Sequence, residues 1–393
     1  MNDNPHPALL PAGLYDLLPE EAQVEADVTA RLMGVLAAHG YERVKPPLVE
    51  FEETLLTGAG TVMASDTFRM LDPSSHRMIG VRADMTPQVA RIATTRLGHK
   101  PRPLRLSYAG QVLRTRSSQM RPERQMGQAG AELIGTGGPV ADVEAIAVAA
   151  EALLAVGVPH LSVDVTLPTL VPAVAEVCAV TGDRAAELRA ALDRKDAAAV
   201  AAIAGPAGDL LAQLIAAAGP ADATRAALER LELPATARRE CDRLGAVLDG
   251  LKAAMPQLKV TVDPVENRGF EYHTGISFTF FARMDPEHGP LGELGRGGRY
   301  EVGDPTAPEP ATGFTLYTDT ILRTLPEATL RRRVLVPLGT PREQAATLRG
   351  GGWITVAALS SAADWRDEAR RLDCGYVLIG NTAQPVGGEG KLA

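Results

Sequence analysis

From about residue 168 to residue 255 the chain reads as helix throughout, yet strand-like runs stand on both sides of it. Leu161 to Leu167 precedes the tract and Leu258 to Val262 follows it, both short and rich in branched apolar residues. The tract is alanine-rich and is broken at Gly182, Gly205-Pro206, Gly219-Pro220 and Pro234, which gives a run of short helices. A helical block between strands reads as an insertion into a sheet domain. The fold class is therefore α+β.

The flanking sequence fills in that domain. Pro19, Glu20 and Glu21 mark a helix start, and apolar residues at three- and four-residue spacing carry the helix to Gly40. Tyr41 to Val49 reads as a strand at an edge or an interface, because Pro46-Pro47 cannot donate to a ladder. Ser65 to Met70 and Met78 to Arg82 read as a hairpin, and Thr86-Pro87 opens a helix with Thr86 as its N-cap. Leu104 to Val112 and Ala129 to Ile134 are strands joined by a polar, arginine-rich loop, and Asp142 to Val156 is an alanine-rich helix. Ile276 to Phe280 alternates apolar and polar as a strand does; a Gly-rich segment, Gly292 to Asp304, then leads to a strand over Ala311 to Leu316 and a helix ending near Leu325. These segments form a first domain, residues 1–325. Residues 330–393 read as a small β-α-β-α-β unit that ends in a frayed tail.

Net charge is -8, which speaks against a large nucleic-acid footprint. No apolar run reaches the ~20 residues of a membrane span, and the N-terminus lacks the basic and apolar regions of a signal peptide. Cys178, Cys241 and Cys374 are far apart and odd in number, which suits a reducing cytoplasm. The histidines show no metal-ligand spacing, so neither metal nor cofactor is expected.

Polar residues gather where strands end. Asp84 and Thr86 sit at a strand-to-helix junction, Arg114 and Arg116 at a strand end, and Gln128 and Glu132 on one face of the following strand. Arg268, Tyr272 and His273 lie where a loop feeds the Ile276 strand. If these strands are neighbours, the set suits a free amino acid. Asp84, Thr86 and Gln128 would take an ammonium, Arg114 and Arg268 a carboxylate, and Glu132 and Tyr272 a polar side chain such as imidazole.

The order of these segments resembles the class II aminoacyl-tRNA synthetases, and histidyl-tRNA synthetases most closely, over about residues 8–325. VKPPLVE resembles the family's motif 1, with Pro47 as its dimer-interface proline. VRADMT resembles its RPEGT element, with Asp84 for Glu. LRTR with QMGQAGAELIG resembles motif 2, and RGFEYHTG the histidine-specific RGLDYYTG. The resemblance implies an antiparallel sheet flanked by helices and a histidine pocket of Asp84, Thr86, Arg114, Gln128, Glu132, Arg268, Tyr272 and His273.

Three departures fall on the ATP site. Arg116 stands where motif 2 has Glu, Thr320 where motif 3 has its ATP-clamping Arg, and Tyr317 where a glycine usually follows the motif 3 strand. Losing one preorganised charge stabiliser typically costs ~10²–10³ in rate. An intact amino-acid pocket beside a damaged nucleotide site resembles the branch of this family that serves as regulatory subunits of ATP phosphoribosyltransferase. That resemblance implies a cytoplasmic, non-catalytic partner of a short phosphoribosyltransferase catalytic subunit, homodimeric through the Pro47 region, with histidine as a feedback effector. A divergent histidyl-tRNA synthetase and a separate histidine-binding module stay open as alternatives. The C-terminal unit reads equally as a partner-docking surface or a vestige.

Overall fold

The structure, a computed structural model, describes residues 9–117, 122–177, 183–266, 273–282, 291–326 and 332–387. The chain divides into two compact units, Met1–Leu325 and Pro326–Ala393.

The first unit contributes twelve strands in chain order: β1 Glu42–Arg43, β2 Val49–Phe51, β3 Phe68–Leu71, β4 Met78–Val81, β5 Leu104–Leu113, β6 Gln125–Ile134, β7 Ser162–Thr166, β8 Gly219–Pro220, β9 Lys259–Asp263, β10 Ser277–Ala282, β11 Leu291–Val302 and β12 Glu309–Tyr317. Nine of them form one sheet in the order β1-β5-β6-β12-β11-β10-β7-β9-β8, and β2-β4-β3 form a second, smaller one. The centre of the large sheet, β5 through β7, is antiparallel, whereas β1 joins β5 and β9 joins β7 in parallel.

Two long helices cover the sheet. Glu21–Ala38 buries Val28, Leu32, Met33 and Leu36, which recur at helical spacing. Pro139–Ala155 is apolar nearly all round and buries Ala145, Ile146, Ala149, Ala150 and Leu153, as a helix packed on several sides must. One of those sides meets the insertion helix Ala235–Ala254. Gly250 permits that approach, since a Cβ there would stand 2.6 Å from Val143 Cγ2.

Four readings of the sequence are corrected here. Tyr41 to Val49 is two strands in different sheets: Pro46-Pro47 ends the ladder of β1 before β2 begins. Gly292 to Asp304 is mostly the central strand β11, and a Cβ on Gly295, Gly297 or Gly298 would meet a neighbouring backbone or side-chain atom within 3 Å. Thr86 is the first helical residue of Thr86–Thr95 and makes no cap; the Asp84 carboxylate does, accepting from Thr86 N at 2.8 Å. The second unit has a fourth strand where a frayed tail was expected. Its strands β13 Arg333–Val336, β14 Ile354–Ala357, β15 Tyr376–Ile379 and β16 Thr382–Pro385 lie in the order β14-β13-β15-β16. The last pairs antiparallel with β15, so Val386 reaches a small core with Leu335, Ala369 and Val377.

Candidate functional site

The site begins with a buried cation. Arg82 donates from Nε to Gln111 O at 2.8 Å and from Nη1 to Pro46 O at 3.0 Å. Gln88 Nε2 adds a bond to Pro47 O at 2.8 Å. The carbonyls of the proline pair are thereby satisfied, and the turn after β4 is pinned to both sheets. Burial pulls the Arg82 pKa down, and Glu50 opposes that.

Just beyond it, Asp84 and Gln128 lock together. Gln128 Nε2 donates to Asp84 Oδ2 at 2.9 Å, and Gln128 Oε1 accepts from Met85 N at 3.1 Å. With its other oxygen on Thr86 N, the Asp84 carboxylate faces the positive end of the helix dipole. Asp84 is 4 % exposed and Gln128 1 %, so these polar groups are satisfied by one another rather than by bulk water.

Glu132 lies on the same face of β6 as Gln128 and is also 1 % exposed. Tyr300 OH donates to its Oε2 at 2.7 Å, and Tyr108 OH lies 3.1 Å from its Oε1. The Tyr108 hydroxyl also meets Thr315 Oγ1 at 2.7 Å and Thr86 Oγ1 at 3.2 Å. Burial raises the Glu132 pKa to about 8; the Tyr300, Tyr108 and Thr86 hydroxyls lower it and the charge of Asp84 raises it further, so burial prevails. The Tyr108 hydroxyl is pushed well above its ordinary value by the same burial.

Thr86, Glu132, His273, Arg296, Gly298, Tyr300, Gly313 and Thr315 line one cavity of about 20 Å³. That is room for about one water. The glycines are what make the cluster fit. A Cβ on Gly313 would lie 1.7 Å from Glu132 Oε2, and one on Gly298 would lie 2.8 Å from His273 Nε2. Burial, with help from the Arg296 charge, lowers the His273 pKa to about 4, so its ring is neutral at neutral pH.

The structure thus brings Asp84, Thr86, Gln128, Glu132 and His273 into one buried region. Arg114 stands beside it, half-buried, with Nε donating to Ala83 O at 3.3 Å. Arg268 and Tyr272 lie outside the described residues. Arg116 is exposed. Tyr317, 1 % exposed, packs in an apolar cluster with Met85, Tyr108 and Met126, and Thr320 is buried in the helix Thr318–Leu322. Arg323, the next residue after that helix, pairs with Glu123. Sequence reasoning missed Tyr108, Tyr300 and Thr315. Tyr300 was legible only if the Gly-rich run was read as a strand, which puts Gly298 and Tyr300 on one face.

The sequence profile of the histidyl-tRNA synthetase family matches residues 13–321. Among curated proteins, the ATP phosphoribosyltransferase regulatory subunit of Rhodospirillum centenum is 56% identical over 98% of this chain and 97% of its own length. The protein of the same name from Gluconobacter oxydans is 43% identical over 98% and 99%. Two solved structures share the fold. An ATP phosphoribosyltransferase regulatory subunit/histidyl-tRNA synthetase from Bacillus halodurans superposes with a TM-score of 0.78 at 24% identity, covering 92% of this chain and 96% of its own. Histidyl-tRNA synthetase from Nostoc superposes with a TM-score of 0.76 at 16% identity, covering 95% and 91%.

Proposed function

The chain belongs to the histidyl-tRNA synthetase-like family and, within it, to the regulatory subunits of ATP phosphoribosyltransferase, and from that premise we propose that it is the non-catalytic subunit that governs the first step of histidine biosynthesis. It works in the cytoplasm, assembled with a short phosphoribosyltransferase catalytic subunit. One contrast carries the reading. The acid, amide and hydroxyl cluster around Glu132 is intact and buried, while the positions that would hold ATP in a synthetase carry an exposed Arg116, a core-packed Tyr317 and a buried Thr320. Neither Tyr317 nor Thr320 offers a cation to a triphosphate, which removes charge stabilisation that adenylate formation relies on.

Histidine is the effector this site suits. Thr86, Glu132 and His273 face the cavity, Asp84 and Gln128 bond to one another beside Thr86, and Arg114 stands close enough to take a carboxylate; Arg268 and Tyr272, expected from the sequence to complete the set, lie outside the described residues. A ligand that binds better to one conformation than another shifts the chain towards it, and the coupling to the partner is reciprocal. The chain pairs with a second copy through the Pro47 region, where Leu48, Met70, Leu71 and Met78 are exposed on and beside the smaller sheet.

Calorimetry of histidine against this chain and against its complex with the catalytic subunit tests the effector assignment. Binding that weakens at least tenfold in Glu132→Ala supports it; no binding to either form removes it.

A further inference from the structure

Resting on the reading that the Glu132 cavity takes histidine, we infer that Lys195 of the helical insertion is a positioning residue for that cavity, acting through its ion pair with Asp263 at the far end of one row of the large sheet. The insertion is thereby part of the response to the effector rather than a separate appendage.

Lys195 stands between the insertion helices Asp183–Asp193 and Ala197–Ala204. Its N–H donates to Leu192 O at 2.9 Å, and the next N–H, that of Asp196, donates to Ala191 O at 3.0 Å. These two bonds make the Schellman ending of a helix, whose left-handed position usually falls to glycine. Here a lysine holds it, with φ 54°. The backbone gains nothing from lysine there, so the side chain carries the reason for it. Its Nζ donates to Asp263 Oδ2 at 2.5 Å. Asp263 ends β9, and its side chain is 7 % exposed against 50 % for Lys195. Its other oxygen accepts from Val265 N and Glu266 N, both at 3.1 Å, and closes the turn after the strand. Two amides and one lysine thus satisfy a buried carboxylate.

The sheet carries Asp263 to the cavity. Register sets Asp263 opposite Thr166, Thr166 opposite Ser277, Ser277 opposite Gly298, Gly298 opposite Gly313 and Gly313 opposite Glu132. Residues directly opposite one another point to the same face, so they form one row across β9, β7, β10, β11, β12 and β6. Thr166 and Ser277 are buried, and their hydroxyls meet at 2.6 Å. At Gly298 the row passes under the His273 ring, and at Gly313 under the Glu132 carboxyl. It therefore runs unbroken from a lysine on the insertion to two groups that line the cavity. A shift of β9 at Asp263 moves the seat of Ser277 and, beyond it, the glycines against which His273 and Glu132 pack. Interiors this closely packed transmit such a displacement.

Calorimetric histidine titrations of the full chain test this. Lys195→Met removes the charge and keeps the stem; Asp263→Asn keeps an oxygen for the two amides and removes the ion pair. Each should weaken histidine binding about fivefold or more. Because the two act as one pair, the double variant should be weaker than either single by no more than about twofold, and Lys195→Arg should restore binding to within about twofold of wild type. Arg225→Met breaks an insertion ion pair with Asp249 that lies off the row, and it should also bind within about twofold of wild type. At saturating histidine, amide hydrogen exchange over residues 263–266 should slow in wild type and not in Lys195→Met, since the coupling is reciprocal. Histidine that binds wild type, Lys195→Met and Asp263→Asn alike overturns the positioning role and leaves the effector reading standing. So does a loss shared equally by Arg225→Met, which marks general loosening of the insertion. No histidine binding to the wild type removes the effector reading, and this inference with it.

Discussion

Gly313→Ala is the substitution that tests the site's packing most sharply. Gly313 faces Glu132 in the β12–β6 register, and its φ is not in the left-handed region, so alanine is allowed by the backbone. The added Cβ would lie 1.7 Å from Glu132 Oε2, 2.4 Å from its Cδ and 2.8 Å from Ala131 O. The carboxyl must move by well over an ångström in a region whose one cavity has room for about one water. Overpacking of this kind costs about 1–3 kcal/mol. Tearing Glu132 Oε2 from Tyr300 leaves buried polar groups unmet, for about 1–3 kcal/mol more. Against this stands a gain of about 0.4–1 kcal/mol from the stiffer unfolded chain. The net loss is roughly 1–5 kcal/mol, centred near 3. Urea unfolding followed by circular dichroism reads it. Glu132→Ala in the same background removes the clashing group, so the pair should be less destabilised than the sum of the singles by about 2 kcal/mol. A Gly313→Ala chain within about 0.5 kcal/mol of wild type would refute the packing described here.

Other outcomes follow from the same geometry. Glu132 has its pKa raised from 4.5 to about 8 on folding, so the folded chain holds more protons than the unfolded one in that interval and loses stability as pH rises through it. His273, lowered from 6.5 to about 4, works the other way and loses stability as pH falls through its own interval. The two oppose each other where they overlap, leaving a net decline from about 6.5 to about 8 with a slope of at most ~1.4 kcal/mol per pH unit; pH-dependent unfolding should show it in wild type and not in Glu132→Gln. Arg299→Met should cost about 3–5 kcal/mol in urea unfolding, because it strands Asp142, 3 % exposed and held by Arg299 at 2.8 Å. Adding Asp142→Asn should recover part of that loss. Asp84→Ala should cost about 1–2 kcal/mol through the lost cap on Thr86 N, and should weaken histidine binding through the freed Gln128.

The sequence made legible what depends on local pattern. The amphipathic first helix, the hairpin β3–β4, the strands β5 and β6 and the inserted run of helices are all written in periodicity and in Gly and Pro punctuation. The placing of Gln128 and Glu132 on one face of a strand followed from their four-residue spacing, whereas the bond from Gln128 to Asp84 is visible only in the structure. What could not be read depends on tertiary context. A glycine-rich strand looks like a loop, because the reason for its glycines is a group brought close by the fold: Thr315 O at Gly295, Gly313 O and the Phe278 ring at Gly297, and the His273 ring at Gly298. The cap on the Thr86 helix belongs to Asp84 because the turn after β4 points that carboxylate back at the helix, a direction fixed by the buried Arg82. The last strand of the second unit was hidden in polar and glycine-rich sequence, where pairing with β15 rather than intrinsic preference makes the strand.

The central claim is regulation of a partner by a chain that performs no chemistry itself. A fixed amount of the short phosphoribosyltransferase catalytic subunit, titrated with this chain and assayed for phosphoribosyl-ATP formation with and without histidine, tests it most directly. Activity should rise with added chain to a stoichiometric plateau and fall on adding histidine, and Glu132→Ala should keep the plateau while losing the fall. Catalysis indifferent to the chain, together with histidine-dependent ATP–pyrophosphate exchange by the chain alone, would contradict the account.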